Sequence, residues 1–438
     1  MTSAPGTATS STARLRFRRP VDTVLPAWPV LVLLWGMPVW WALGLLAFVG
    51  VILSVPMIAL MLQRRSVIVV PGVLPWIVFV LWTIPSILML ESTVQSLLFL
   101  VQFAQAASVG VIMLYLVNAR ASLPIRRVLA GLTFMWVFVI AGGYLGLLWP
   151  DTTLTYTVGR LLPGALRDTE YLSGLLFPPF AELQIPYGAT EAFVRPSAPY
   201  AYTNGWGAAM ALLTPVVVGA ALERRTVGAL AWLSVGILAM IPPAIATSNR
   251  GLFIGLATAV AYVLVRLVLR RNWIPVFLVG VGASAVGILL AASGVMELIV
   301  ARQDAVDTTE GRGDLYVETF ERTILSPLFG YGGPRQSFTS EISVGTQGMI
   351  WDVMFSFGFV GLALFLGFLL GAVGRSWAAP NLSALWLHSS LIAALVLSVF
   401  YGLDRHLTTI GIVATLLLRE RYRPGSRYWT PTGAGRAD

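Results

Sequence analysis

Apolar stretches of about 20 residues, separated by short breaks that carry arginine, run along most of the 438-residue chain. A helix of that length rises about 30 Å, the thickness of a bilayer's hydrocarbon core. Residues 25–62 form one long run with a thin break at Gly36-Met37-Pro38, and predict two spans. Further spans are predicted over about 73–90, 95–117, 128–149, 203–222, 227–246, 251–269, 274–296, 349–373, 383–402 and 405–418. The sum is about twelve, an all-α polytopic transmembrane bundle over 25–420 with both termini on one side. Two long polar segments, about 150–202 and 297–348, interrupt the pattern, and short tails (1–24 and 421–438) flank it. Small residues dominate the first tail, which predicts disorder there.

Composition agrees with this class. Hydrophobic residues make up 57% of the chain and charged ones 11%, where soluble domains carry about 25%. Arg14, Arg16, Arg18 and Arg19 precede an apolar run that continues into further spans, so no cleavable signal peptide is predicted. Cysteine is absent, which removes disulfide and thiolate chemistry. The two histidines, His388 and His406, are too few for a histidine-based metal site, and no metal or cofactor is expected. His388, beside Ser389 and Ser390, reads as an interhelical hydrogen-bonding residue.

Charge placement sets the orientation. With the N-terminus inside, the inner segments hold both tails' arginines together with Arg64, Arg65, Arg120, Arg126, Arg127, Arg224, Arg225, Arg266, Arg270, Arg271 and Arg375. The short outer segments hold only Arg250 and Arg405. The expected location is therefore the cytoplasmic membrane, with cytoplasmic termini and two long extracytoplasmic loops.

Arg250 is the one charge between Thr226 and Val265. An arginine near lipid costs roughly 2.5–3.5 kcal/mol on insertion scales, so it needs either headgroups to reach for or an anionic ligand. Ser248 or Asn249 would cap the helix that begins near Gly251, turning free N–H groups and the positive dipole end outward beside Arg250. The last apolar run is short for a span, which places Asp404, Arg405 and His406 below the outer surface; Asp352 would lie at similar depth. Asp404-Arg405 reads equally as a local ion pair, and Arg312 with Asp314 as part of a solvated charged run. The apolar stretch Tyr171–Phe180 in the first long segment fits either an interfacial element or ordinary loop packing.

The order of several loose motifs is more specific. Arg195-Pro196-Ser197 with Asn204-Gly205-Trp206-Gly207, then Thr247-Ser248-Asn249-Arg250-Gly251, precede Arg312-Gly313-Asp314-Leu315-Tyr316 and Ser326-Pro327-Leu328-Phe329-Gly330-Tyr331-Gly332. Gln347-Gly348-Met349-Ile350-Trp351-Asp352 and Phe357-Gly358-Phe359-Val360-Gly361 follow. Over roughly residues 190–372 this succession resembles the O-antigen ligase and O-antigen polymerase superfamily. The resemblance implies a membrane glycosyltransferase that takes a glycan from a polyprenyl-diphosphate carrier and passes it to a glycan, lipid or protein acceptor. It implies no nucleotide or metal, and no nucleic-acid partner. Arg250 and Arg312 would hold the diphosphate in forked contacts, with Arg195 assisting or positioning the sugar. The chain departs from the family's ligases at Gln347, where they place a histidine; glutamine is no base near neutral pH. Asp352, Asp404 and His406 are the candidates to replace it, Asp352 first, and the departure leans the reading from ligase toward polymerase. The competing class is a transporter or flippase of lipid-linked glycans, for which broken helices would come from Pro215 or Pro242-Pro243.

Overall fold

A computed structural model describes residues 24–64, 66–167, 169–184, 193–294, 310–338 and 342–422. The chain opens with α1 (Trp28–Trp35), α2 (Met37–Ala42) and α3 (Val49–Leu62), followed by α4 (Leu74–Thr83) with a 3-10 extension over Ile84–Met89. Next come α5 (Thr93–Asn118), α6 (Ile125–Leu148), and the short α7 (Gly164–Arg167) and α8 (Glu170–Leu176). Strands β1 (Ala181–Gln184) and β2 (Phe193–Pro196) pair as an antiparallel hairpin that places Glu182 opposite Arg195. Then follow α9 (Thr203–Arg224), α10 (Val227–Thr247), α11 (Arg250–Leu269) and α12 (Trp273–Ala292). The described remainder is α13 (Glu310–Leu325), the two-residue strands β3 (Arg335–Gln336) and β4 (Ser343–Val344), α14 (Met349–Ser376), α15 (Leu382–Leu397) and α16 (Leu407–Arg421).

Among the described residues, seven helices are long and apolar enough to cross a membrane by length and composition: α5, α6, α9, α10, α11, α12 and α14. Three shorter apolar segments, Val49–Leu62, Leu74–Met89 and Leu382–Leu397, accompany them. The helix α9 is the centre of the bundle; it packs on α6, α10, α11 and α15, and most of its side chains are buried. At the other extreme, α12 buries no residue and packs chiefly along α11.

Three expectations change. The run over 25–62 does not divide into two helices at Gly36; it breaks there and again over 43–48, where Gly44 takes φ 70° and the chain turns under the first long loop. An even apolar run carries no mark of such a turn beyond the glycine itself. The span expected over 383–402 stops at Leu397, and residues 398–406 leave the helix while remaining largely apolar. The long loops are also more ordered than a polar stretch implies, holding two small antiparallel hairpins and short helices. In the apolar stretch at Tyr171–Phe180, Leu172 and Leu176 turn inward and are buried, so loop packing accounts for them.

Pro215, Pro242 and Pro243 break no helix; all three sit inside continuous helices. The discontinuity lies in α14, at Gly358, with φ 71° and ψ −177°. The loop between α13 and β3 fills the break. Tyr331 N–H donates to the Phe355 carbonyl at 2.9 Å, Gly332 N–H to the Ser356 carbonyl at 2.8 Å, and Phe359 N–H to the Pro327 carbonyl at 2.8 Å. The glycine-bearing runs Ser326–Gly332 and Phe357–Gly361 are therefore two halves of one contact. Trp82 and Ser86 clasp the same loop, donating to the carbonyls of Leu328 and Phe329.

One end of the bundle carries a cluster of basic residues. There Arg64 donates to the Asn118 carbonyl, Arg120 to Arg419, Arg270 to Ala378 and Ala379, and Arg421 to Arg375. Arg126 meets Glu223 at 3.7 Å. Just inside this end, the His388 ring lies between Tyr262 Oη (2.7 Å from Nδ1) and the Val373 carbonyl (3.0 Å from Nε2), and Arg266 donates to the same tyrosine. Because the carbonyl only accepts, Nε2 carries the proton and Nδ1 accepts from Tyr262. His388 thus links α11, α14 and α15, the interhelical role its neighbours implied.

A test of the α14 break follows. A Cβ at Gly358 would lie 2.5 Å from the carbonyl oxygens of Pro327 and Leu328, in a backbone region essentially reserved for glycine. Gly358→Ala should destabilise the protein by about 1–3 kcal/mol from backbone strain alone. Gly367→Ala, where nothing stands within 4 Å of the added carbon, should be neutral or slightly stabilising. Denaturant titration of both variants in the same detergent checks the contrast.

Candidate functional site

At the end opposite the basic cluster, the starts of α9, α11 and α14 meet around the irregular segment 398–406. Each start is satisfied by groups from another element, because backbone N–H groups away from water need partners. For α14, Met349 N–H donates to the Tyr401 carbonyl and Ile350 N–H to the Ser398 carbonyl, both at 2.9 Å. Gly348 allows this approach; a side chain there would run into the Val399 carbonyl. For α11, Asn249 is the cap: its Oδ1 accepts from Leu252 N–H at 3.1 Å, while Ser248, at φ 46°, ends α10. The Asn249 amide donates to the Thr203 carbonyl (3.2 Å) and Asn204 Oδ1 (3.3 Å), tying α11 to α9. Gly207, one turn into α9, leaves the space the Asn249 side chain occupies.

Tyr401 completes this joint. Its hydroxyl donates to Asn249 Oδ1 at 2.9 Å and accepts from Gly251 N–H at 3.0 Å, and its ring fills the place a Gly251 side chain would need. The N–H groups of Gly251 and Leu252 are thereby taken by the protein. The expectation that free N–H groups at this terminus face a ligand is corrected for these two, which are bonded within the protein. Nothing in the sequence singles out Tyr401 within its apolar stretch; its partners lie about 150 residues away.

The arginines separate by environment. Arg195 is 5% exposed; its Nε donates to the Thr247 carbonyl at 3.0 Å and its Nη1 lies 3.7 Å from Glu182 Oε2. Burial lowers the Arg195 pKa from its ordinary value, with the charges of Glu182 and Tyr401 opposing. Glu182 also accepts from Thr203 N–H at 3.2 Å, so Arg195 and Glu182 together fasten the β1–β2 hairpin to the end of α10 and the start of α9. Arg195 is three residues of backbone from the cis Ala198-Pro199 bond that carries the chain into α9. Arg250 differs. It is half-buried, and among the described residues its guanidinium makes no hydrogen bond or ion pair. Arg405 is held by its neighbour, Nε to Asp404 Oδ2 at 3.0 Å, as the local-pair reading has it. Arg312 falls in the first turn of α13, and its side chain lies outside the described residues.

Of the acid and base candidates, Asp404 and His406 belong to the segment 398–406 and Asp352 to the helix start that docks on it. Asp352 is in the first turn of α14 and accepts from Ser356 Oγ at 3.1 Å. Trp351 beside it donates to the Val399 carbonyl and stacks on Tyr316 of α13 at 4.3 Å. Asp404 feels both Asp352 and His406 electrostatically. His406 is buried under Tyr200, ring centroids 5.0 Å apart; the Gly205 backbone engages its ring, and Nε2 has no hydrogen-bond partner among the described residues. Gln347 is part-exposed and donates to Thr346 Oγ1 at 3.1 Å, with its carbonyl 3.5 Å from Tyr316 Oη. Among the described residues no group of three or more histidine, aspartate or glutamate side chains gathers as metal ligands do.

Helix α13 is anchored by Glu318, which accepts from Ser337 Oγ at 2.5 Å, Phe338 N–H at 3.1 Å and Arg322 at 3.1 Å. Burial alone would raise its pKa, but these donors and the Arg322 charge outweigh it, and the net shift is downward.

Comparison of the chain with protein-family models gives no match, and comparison with curated proteins gives none either.

Two outcomes are expected from this arrangement. Arg195→Met should destabilise the protein by about 1–3 kcal/mol, since it strands the Thr247 carbonyl and Glu182, whereas Arg250→Met should stay within about 0.5 kcal/mol of wild type; melting of the two variants side by side decides it. For Glu318, a depressed folded pKa contributes stability above the unfolded value of about 4.3, lost as pH falls through the folded value. Acid titration of the melting temperature should therefore show a loss that Glu318→Gln, already lacking the charge, does not.

Proposed function

We propose that this chain is a membrane glycosyltransferase that transfers or polymerises glycan from a polyprenyl-diphosphate carrier on the outer face of the cytoplasmic membrane. The observation that carries the reading is Arg250: a half-buried guanidinium with no hydrogen bond or ion pair among the described residues, on a backbone turn held from both sides through Asn249, Gly251 and Tyr401. An arginine so held is suited to a diphosphate, which it can meet with two parallel N–H donors. The two-ended sorting of arginine supports the orientation: the basic end is the cytoplasmic one under the positive-inside rule, and the site is extracytoplasmic. In this reading the seven long helices, the three shorter apolar segments, α16 and the α1–α2 pair make the twelve crossings.

In this reading the acceptor hydroxyl attacks the anomeric carbon as the bond from that carbon to the carrier's phosphate oxygen breaks. The electron pair leaves with the diphosphate, where Arg250 and Arg312 stabilise it. Asp352 takes the acceptor's proton, with Asp404 as the neighbouring charge. Arg195 acts at one remove, by pinning the hairpin to the end of α10 and the start of α9. Gln347 stands where the resembled ligases have histidine, which favours polymerisation over ligation.

A second reading has one observation in its favour. The break of α14 at Gly358 is of the kind that transporters use at substrate sites. Its freed carbonyls, however, are consumed by Tyr331 and Gly332. Purified protein in liposomes, given a polyprenyl-diphosphate oligosaccharide on one face, separates the readings. A product ladder indicates a polymerase, transfer to an added acceptor a ligase, and movement without covalent change a flippase. Arg250→Ala and Arg312→Ala should each lower transfer at least a hundredfold, in line with loss of an oxyanion-stabilising donor. Wild-type rates in both variants would remove the proposal.

A further inference from the structure

Tyr401 reaches the two parts of the site through different atoms. Its hydroxyl binds the residues on either side of Arg250, Asn249 and Gly251. Its carbonyl accepts from Met349 N–H, three residues before Asp352. The hydroxyl is not needed to start α11, because Asn249 Oδ1 already caps Leu252 N–H. Nor is it needed to dock α14, because any residue at 401 would present the same carbonyl. What the hydroxyl adds is the orientation of the three-residue turn that carries Arg250, relative to the segment on which Asp352 is seated.

We infer that Tyr401 is a positioning residue that sets the facing and separation of the Arg250 guanidinium and the Asp352 carboxylate. This rests on the glycosyl-transfer reading, in which the leaving diphosphate and the attacking hydroxyl must be held on opposite sides of one carbon. The geometry is specific to tyrosine. Phenylalanine would pack in the same place and keep the backbone bond to Met349, yet leave Gly251 N–H without a partner and Asn249 Oδ1 with one donor fewer. Histidine, serine or threonine would not reach both partners from this backbone position while filling the space beside Gly251.

The test uses full-length protein in liposomes and two readouts, equilibrium binding of a short-chain polyprenyl diphosphate and the turnover rate for transfer. Tyr401→Phe should weaken diphosphate binding and lower turnover, each about tenfold, at temperatures well below its melting point. In an Arg250→Ala background the same change should weaken binding no further, because Tyr401 acts through Arg250. Gly251→Ala, which crowds the Tyr401 ring while keeping both side chains, is the second variant and should give the same loss. Wild-type binding and turnover in folded Tyr401→Phe would overturn the role. Equal weakening with and without Arg250 would overturn it too, showing that Tyr401 does not work through the arginine. If the wild-type protein neither binds diphosphate nor transfers glycan, it is the functional reading that fails, and the positioning role falls with it.

Discussion

Backbone groups at depth in an apolar bundle have no water to fall back on, and this constraint shapes the whole of the site end. Three helices begin there, and each start must find acceptors from elsewhere in the chain. The segment after α15 supplies them by leaving the helix at Leu397 and turning its carbonyls toward Met349 and Ile350. The asparagine before α11 supplies them locally, and Tyr401 and the α9 start lock it in place. These bonds fix the backbone of the turns that carry Arg250 and Asp352. Arg250 is placed by the start of its helix, and Asp352 by the start of its own together with the Ser356 hydroxyl that donates to it.

The same constraint explains the break in α14. Interrupting a helix frees carbonyls that cost several kcal/mol each if stranded in apolar surroundings. The loop around Gly330–Gly332 is shaped to cap them, and a side chain at Gly330 would collide with the Phe355 carbonyl. A break and a distant loop thus depend on each other, and changes in one should be felt in the other.

Much of the helical framework was legible in the sequence because period and length of apolar runs are local properties. The bounds of α5, α6, α9, α10, α11 and α12 fall within a few residues of the expected spans. The places where this reading went astray, residues 43–48 and 398–402, are mostly apolar yet not helical; hydrophobicity reports burial, not backbone conformation. The candidate residues divide the same way. Arg250 stood out because a lone charge is visible against apolar neighbours, and Asn249 because capping follows from spacing. The pairing of Arg195 with Glu182, the stacking of Tyr316 on Trp351, and above all Tyr401 were not legible, since each depends on a partner brought close only by the fold. The glycine runs were visible as motifs, but that they meet each other needed three dimensions.

The outlying helix α12 carries a different consequence. With no residue buried against the rest of the chain, and with Trp273, Ile274, Phe277 and Leu278 all more than half exposed, it draws almost nothing from the protein interior. Its solvent is whatever surrounds the bundle. Thickness and fluidity of that medium act on α12 directly, as salt and urea act on a surface loop in water. The part of the molecule that responds first to a change of lipid or detergent is therefore this helix, on the far side of α11 from the core and coupled to Arg250 through the helix they share.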